Sequence, residues 1–156
     1  YNHACTLRRA SESAPVTQIG LRSASFEDHA YIREQGLAFY TPRGFRKAGI
    51  DDVLSHLTEN VYITIDLDHL DPAVMAAVGT PEPGGLLWDE VCDLLVAVAK
   101  TRRIVGFDVT ELSPSLGPPA CAQLAAKLTY RLIGLALGPV EDRSAGPAEP
   151  APPAEH

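Results

Sequence analysis

The chain has 156 residues, 46% of them hydrophobic and 21% charged, which suffices for one buried core and, by length, one domain. A formal net charge of -7 and an isoelectric point near 5.1 argue against nucleic acid or an anionic membrane as partner, and mildly favour a cationic ligand. No run approaches the roughly eighteen consecutive apolar residues of a membrane span; the chain begins at Tyr1 without a methionine, so the lack of a signal-peptide pattern there carries no weight.

In chain order, residues 16–23 (VTQIGLRS) read as a buried strand, and FEDHAYIREQG as a short helix that Ser25 can cap. A short strand near LAFYT follows, then a helix around IDDVLSHLTEN, then an acid-bearing strand from Val61. LWDEVCDLLVAVAKT places Leu87, Val91, Leu94, Leu95 and Val98 at helical spacing. RIVGFDVTEL is the next strand and ACAQLAAKLTYRLIGLAL the last helix. Strands separated by helices of ten to fifteen residues imply βαβ units and a parallel sheet. From Gly138 onward five prolines fall in nineteen residues with Ala and Glu, which reads as a disordered tail over 138–156 behind a domain of 1–137.

The most informative run is IDLDHLDPAV followed by MAAVGTPEPGG. In VYITIDLD the period-2 rule sends Tyr62, Thr64, Asp66 and Asp68 to one face and Val61, Ile63, Ile65 and Leu67 to the other. Two ionised carboxylates that close repel unless a cation lies between them, and a hard divalent ion with oxygen ligands fits. Open parallel sheets bind ligands at the carboxyl ends of their strands, where Asp66, Asp68 and Glu111 all fall.

The run D-x-D-x-x-D-P followed by G-T-P-x-P-G-G resembles the signature of the ureohydrolase family, the agmatinases, arginases and related guanidino hydrolases. The opening YNHACTLRRASE is similar to the agmatinase stretch that carries a catalytic-site histidine, here His3. IVGFDVTELSP and LAAKLTYRLIG resemble the family's last core strand and final helix, with Glu111 at the position that contacts the guanidinium. The similarity runs over residues 1–137 and is closest to agmatinases. It implies a three-layer α/β/α architecture with a mainly parallel sheet, as in arginases and deacetylases.

The resemblance also implies a reaction: hydrolysis of a guanidino compound, agmatine above all, to urea and an amine by a hydroxide bridging two manganese ions. Asp66 would bridge both ions and Asp68 chelate one of them. Glu111 would hold the guanidinium, and His3 would bind substrate too and shuttle a proton to the leaving amine. The full-length enzyme is expected to be a cytoplasmic homo-oligomer in polyamine biosynthesis. Two motifs of the family are missing, since no GGDHS or DAHxD string occurs in the chain, so it is expected to be the C-terminal half of a longer enzyme. Ala76, Ala77 and Val78 replace the usual Pro-Gly-Thr, which puts the loop's path in question.

Other readings stay open. A non-catalytic ureohydrolase-like subunit or binding module would also lack the two motifs, and a deacetylase on the same fold would use one metal with another acid spacing. Cys5, Cys92 and Cys121 are odd in number and far apart, as free thiols in a reducing compartment would be. A Cys5–His3 nucleophilic pair lacks a third group. His69 reads as a loop side chain, Asp71 before Pro72 as a turn-former, His29 and His56 as surface groups, and Arg8 and Arg9 as a solvated pair.

Overall fold

The computed structural model describes residues 6–138; His3, Cys5 and the Pro-rich stretch beyond Gly138 lie outside them. Six helices and four strands follow one another: α1 (Thr6–Ser11), β1 (Thr17–Ile19), α2 (Phe26–Gln35), β2 (Ala38–Tyr40), α3 (Pro42–Ala48), α4 (Ile50–Ser55), β3 (Asn60–Asp66), α5 (Trp88–Thr101), β4 (Arg103–Thr110) and α6 (Pro119–Leu137). The strands pair in parallel, as expected of βαβ units, but in two separate pairs, β1 with β2 and β3 with β4.

Local chemistry sets the boundaries. Ser25 caps α2 reciprocally: its hydroxyl accepts the Asp28 N–H and the Asp28 carboxylate accepts the Ser25 N–H, each at 3.1 Å, a device worth about 1 kcal/mol. Gly36 closes that helix at φ 62, a left-handed position that glycine adopts without a Cβ penalty. The strand expected over 16–23 stops at Ile19, because Gly20 turns out of it at φ 92 with its N–H on the Tyr40 carbonyl. Helix α3 was not foreseen, although Thr41 accepting the Gly44 N–H at 3.0 Å and Pro42 in the first turn form a start signal. Leu87, expected on the buried face of α5, is the half-exposed N-cap residue, and Cys92 and Ala99 complete that face beside Val91, Leu94, Leu95 and Val98.

The core lies where α5 and α6 pack on β4. Val61, Ile65 and Leu67 reach it from the acid-bearing segment, Ile104 from β4, and Cys121, Ala125, Leu128 and Leu132 from α6. Residues 70–86 are not a loose loop: Leu70, Met75, Ala77, Val78 and Leu86 are all buried, and the Ser113 N–H bonds the Ala77 carbonyl at 2.8 Å. The Ala76-Ala77-Val78 departure is therefore accommodated by packing. No helix among the described residues is long and apolar enough to cross a membrane.

Candidate active site

Strand β3 alternates as its pattern requires. Val61 and Ile65 are buried, Ile63 packs against the core, and Tyr62, Thr64 and Asp66 face outward. The strand ends at Asp66, so Asp68 sits two residues beyond it in a 3-10 turn, Leu67–His69, rather than in the strand itself. The physical reason is Asp66: its Oδ1 accepts the Asp68 N–H at 2.9 Å, a side-chain bond that competes with the ladder and bends the chain. Leu67 between them is fully buried, which turns the two acids away from the core.

Asp68 is held from three directions. The Arg22 guanidinium donates to its main-chain carbonyl, the Thr80 hydroxyl donates to Oδ2, and its own N–H is on Asp66. The remaining carboxylate oxygen, Oδ1, is buried with no hydrogen-bond partner. An unpartnered buried carboxylate oxygen is costly; a cation would satisfy it, as would a hydrogen-bond donor. The residues present thus fit a hard divalent ion, with Asp66 and Asp68 as donors. Among the described residues no cluster of three or more metal-binding side chains forms, so Asp66 and Asp68 would be two donors of any ion held there.

Glu111 follows β4 directly, and Asp66 pairs with Thr110 in the parallel register, so the three acids lie at the same ends of neighbouring strands. Its backbone is left-handed, φ 67, the one non-glycine residue with positive φ among those described. A Cβ placed on Gly79 would stand 3.9 Å from Glu111 Oε2. Gly79 adjoins Thr80, which closes a path from Glu111 to Asp68 through the loop.

Asp71 is the turn-former expected of it and something more. Its Oδ1 accepts the Ala73 N–H at 3.0 Å, and its Oδ2 accepts those of Gly84 and Gly85 at 2.8 and 3.2 Å, tying both ends of the loop that carries Thr80. The Ala73 and Gly84 N–H groups hold the carboxyl below its usual range. Gly85 is also held through its carbonyl by Arg46, whose guanidinium grips Glu90 at 2.7 and 2.9 Å. His69 is a loop side chain beside the acids, but not a solvated one: burial lowers its pKa, and the Asp66 carbonyl, which can only accept, puts the proton on Nδ1. His29 and His56 are exposed. Arg8 lies over the Tyr31 ring at 4.4 Å and Arg9 pairs with Glu12 at 2.8 Å.

Sequence reasoning missed Arg22 and Thr80. Arg22 gave no signal, because a bond to a main-chain carbonyl 46 positions away leaves no pattern. Thr80 was visible within G-T-P-x-P-G-G, but nothing there points at Asp68.

Comparison with known proteins agrees with this fold. The model of the arginase family matches residues 1–134. The chain is 39% identical over 138 residues to an N(1)-aminopropylagmatine ureohydrolase of Thermus thermophilus, covering 86% of this chain and 47% of the relative. It is 35% identical to an agmatinase of Pyrococcus horikoshii, covering 86% and 48%. Among solved structures, the agmatine ureohydrolase of Thermoplasma volcanium superposes with a TM-score of 0.76 at 36% identity, covering 87% of this chain and 48% of that one. Proclavaminate amidino hydrolase from Streptomyces clavuligerus superposes equally well, at 30% identity and with 87% and 49% covered. The chain spans about half the length of the curated relatives it matches.

Proposed function

Since this chain belongs to the arginase family, we propose that it supplies the strand-end acids of a manganese-dependent site that hydrolyses a guanidino compound, agmatine first among them, to urea and an amine. The observation that carries this reading is the placing of Asp66 at the end of β3 and Asp68 in the turn that follows it, with Asp68 Oδ1 buried and unpartnered. Asp66 and Asp68 are the residues that would hold the ions. When bound, a pair of such ions lowers the pKa of water enough to supply a nucleophile near neutral pH, which a resonance-stabilised guanidinium carbon requires.

This chain's residues do the rest. Glu111 accepts charge-assisted hydrogen bonds from the guanidinium and fixes its carbon beside the acids. Water adds at that carbon, the C–N bond to the alkyl chain breaks, and the departing nitrogen takes a proton, a step assigned here to His3. The buried free thiols of Cys92 and Cys121 support a reducing compartment, which we assign to the cytoplasm. A second reading, a binding module without catalysis, rests on the two family motifs, GGDHS and DAHxD, that do not occur in these 156 residues.

Assaying the full-length protein with manganese against agmatine, N1-aminopropylagmatine, arginine and guanidinobutyrate decides among these. Urea from agmatine is expected to dominate. Preferential arginine turnover would overturn the substrate assignment, and no urea from any of them would favour the binding module. The 156-residue chain alone is expected to release none, because groups that act as a unit lose activity together.

A further inference from the structure

We propose that Arg22 is a positioning residue for the metal site, acting through Asp68; this rests on the reading of Asp66 and Asp68 as ligands. Arg22 follows the turn at Gly20 that ends β1, and its guanidinium joins two segments far apart in sequence. Nη1 donates to the Gly20 carbonyl at 3.0 Å and Nη2 to the Asp68 carbonyl. Its Nε is buried with no hydrogen-bond partner, so the guanidinium is held through its two Nη groups. With Thr80 on Oδ2 and Arg22 on the carbonyl, Asp68 is gripped at main chain and side chain alike, and Oδ1 is the oxygen left over.

The sign of Arg22's charge separates this role from a plain electrostatic one. A guanidinium beside a cation site repels the cation, so charge alone predicts that removing it strengthens manganese binding. Positioning predicts the reverse. Loss of a partner that orients a metal ligand typically weakens affinity by about 10- to 100-fold. Lysine keeps the charge but has no rigid fork to span two carbonyls, so Arg22→Lys should weaken binding as well.

The test is a Mn2+ titration followed by electron paramagnetic resonance in the full-length protein, its Arg22→Met variant and its Arg22→Lys variant, with the metal-free melting temperature of each. Both variants are expected to bind at least about tenfold more weakly at a temperature where they are folded. Equal or tighter binding by folded variants, with only the melting temperature lowered, would reduce Arg22 to a structural strut and overturn the inference. Should Arg22→Met not fold, Arg22→Lys carries the comparison alone. If the unsubstituted protein binds no Mn2+, the ligand reading fails first and takes the inference with it.

Discussion

Leu67 offers the sharpest test of how the site is built, because this fully buried side chain sits between the two acids. Leu67→Ala removes three carbons, worth about 2.4 kcal/mol at about 0.8 kcal/mol per buried methylene. It belongs to the same buried cluster as Ile65, Leu70 and Met75, so a residual cavity raises the loss to about 3–4 kcal/mol. That is a large part of the roughly 5–15 kcal/mol by which domains are stable. Urea denaturation should show a lower midpoint with an unchanged slope, and the melting temperature should fall by about 10 °C. Leu116→Ala, at a residue 60% exposed, should change stability by no more than about 0.5 kcal/mol. A loss below about 1 kcal/mol in Leu67→Ala would refute the claim that Leu67 anchors the turn.

Three further outcomes are expected. Burial and the Asp52 carboxylate, which accepts the Tyr40 hydroxyl at 2.7 Å, push the Tyr40 pKa up to about 12 from 10.0; the stability this contributes is full below pH 10 and lost as pH rises towards 12, which a phenolate absorbance titration of the protein against Tyr40→Phe would follow, and a difference signal centred near pH 10 would contradict it. Gly85→Ala should cost about 1–3 kcal/mol of denaturation free energy through overpacking, because the new Cβ would lie 2.4 Å from the Asp71 nitrogen; Gly84→Ala, with φ 81 but open space around it, should show only the roughly 1–2 kcal/mol of left-handed strain. Asp66→Ala in the full-length protein should abolish manganese-dependent urea release, and retention of more than about a tenth of the rate would exclude Asp66 from a group acting as a unit.

The sequence was most legible where one period ran undisturbed. Val61 and Ile65 alternate with Tyr62, Thr64 and Asp66 because a half-buried strand must sort apolar from polar side chains, and Val91, Leu94, Leu95 and Val98 recur because α5 buries one face. Ser25 was legible as a cap for the same local reason. Legibility failed where distant groups decide the outcome. Gly20 ends β1 four residues earlier than hydrophobicity suggests, and Leu87 is spared from the core by the helix start it occupies. The acids were recognisable as a pair, but the bend that puts Asp68 in a turn follows from a bond within the pair. What grips Asp68, namely Arg22 and Thr80, depends on packing that brings residues 46 and 12 positions away to it.

The left-handed backbone of Glu111 subjects that position to two independent filters when the gene drifts. A replacement must tolerate φ 67 and, if Glu111 holds the guanidinium as proposed, satisfy that chemistry too, and these demands select different residues. Gln keeps the length but not the charge. Asp and Asn enter left-handed conformations more readily than other non-glycine residues but are shorter by one methylene, and the β-branched residues fail on both counts. Few single-nucleotide paths lead away from such a codon without losing something. On the proposed role of Glu111, a change of substrate is therefore easier to reach through the residues around it than through Glu111 itself.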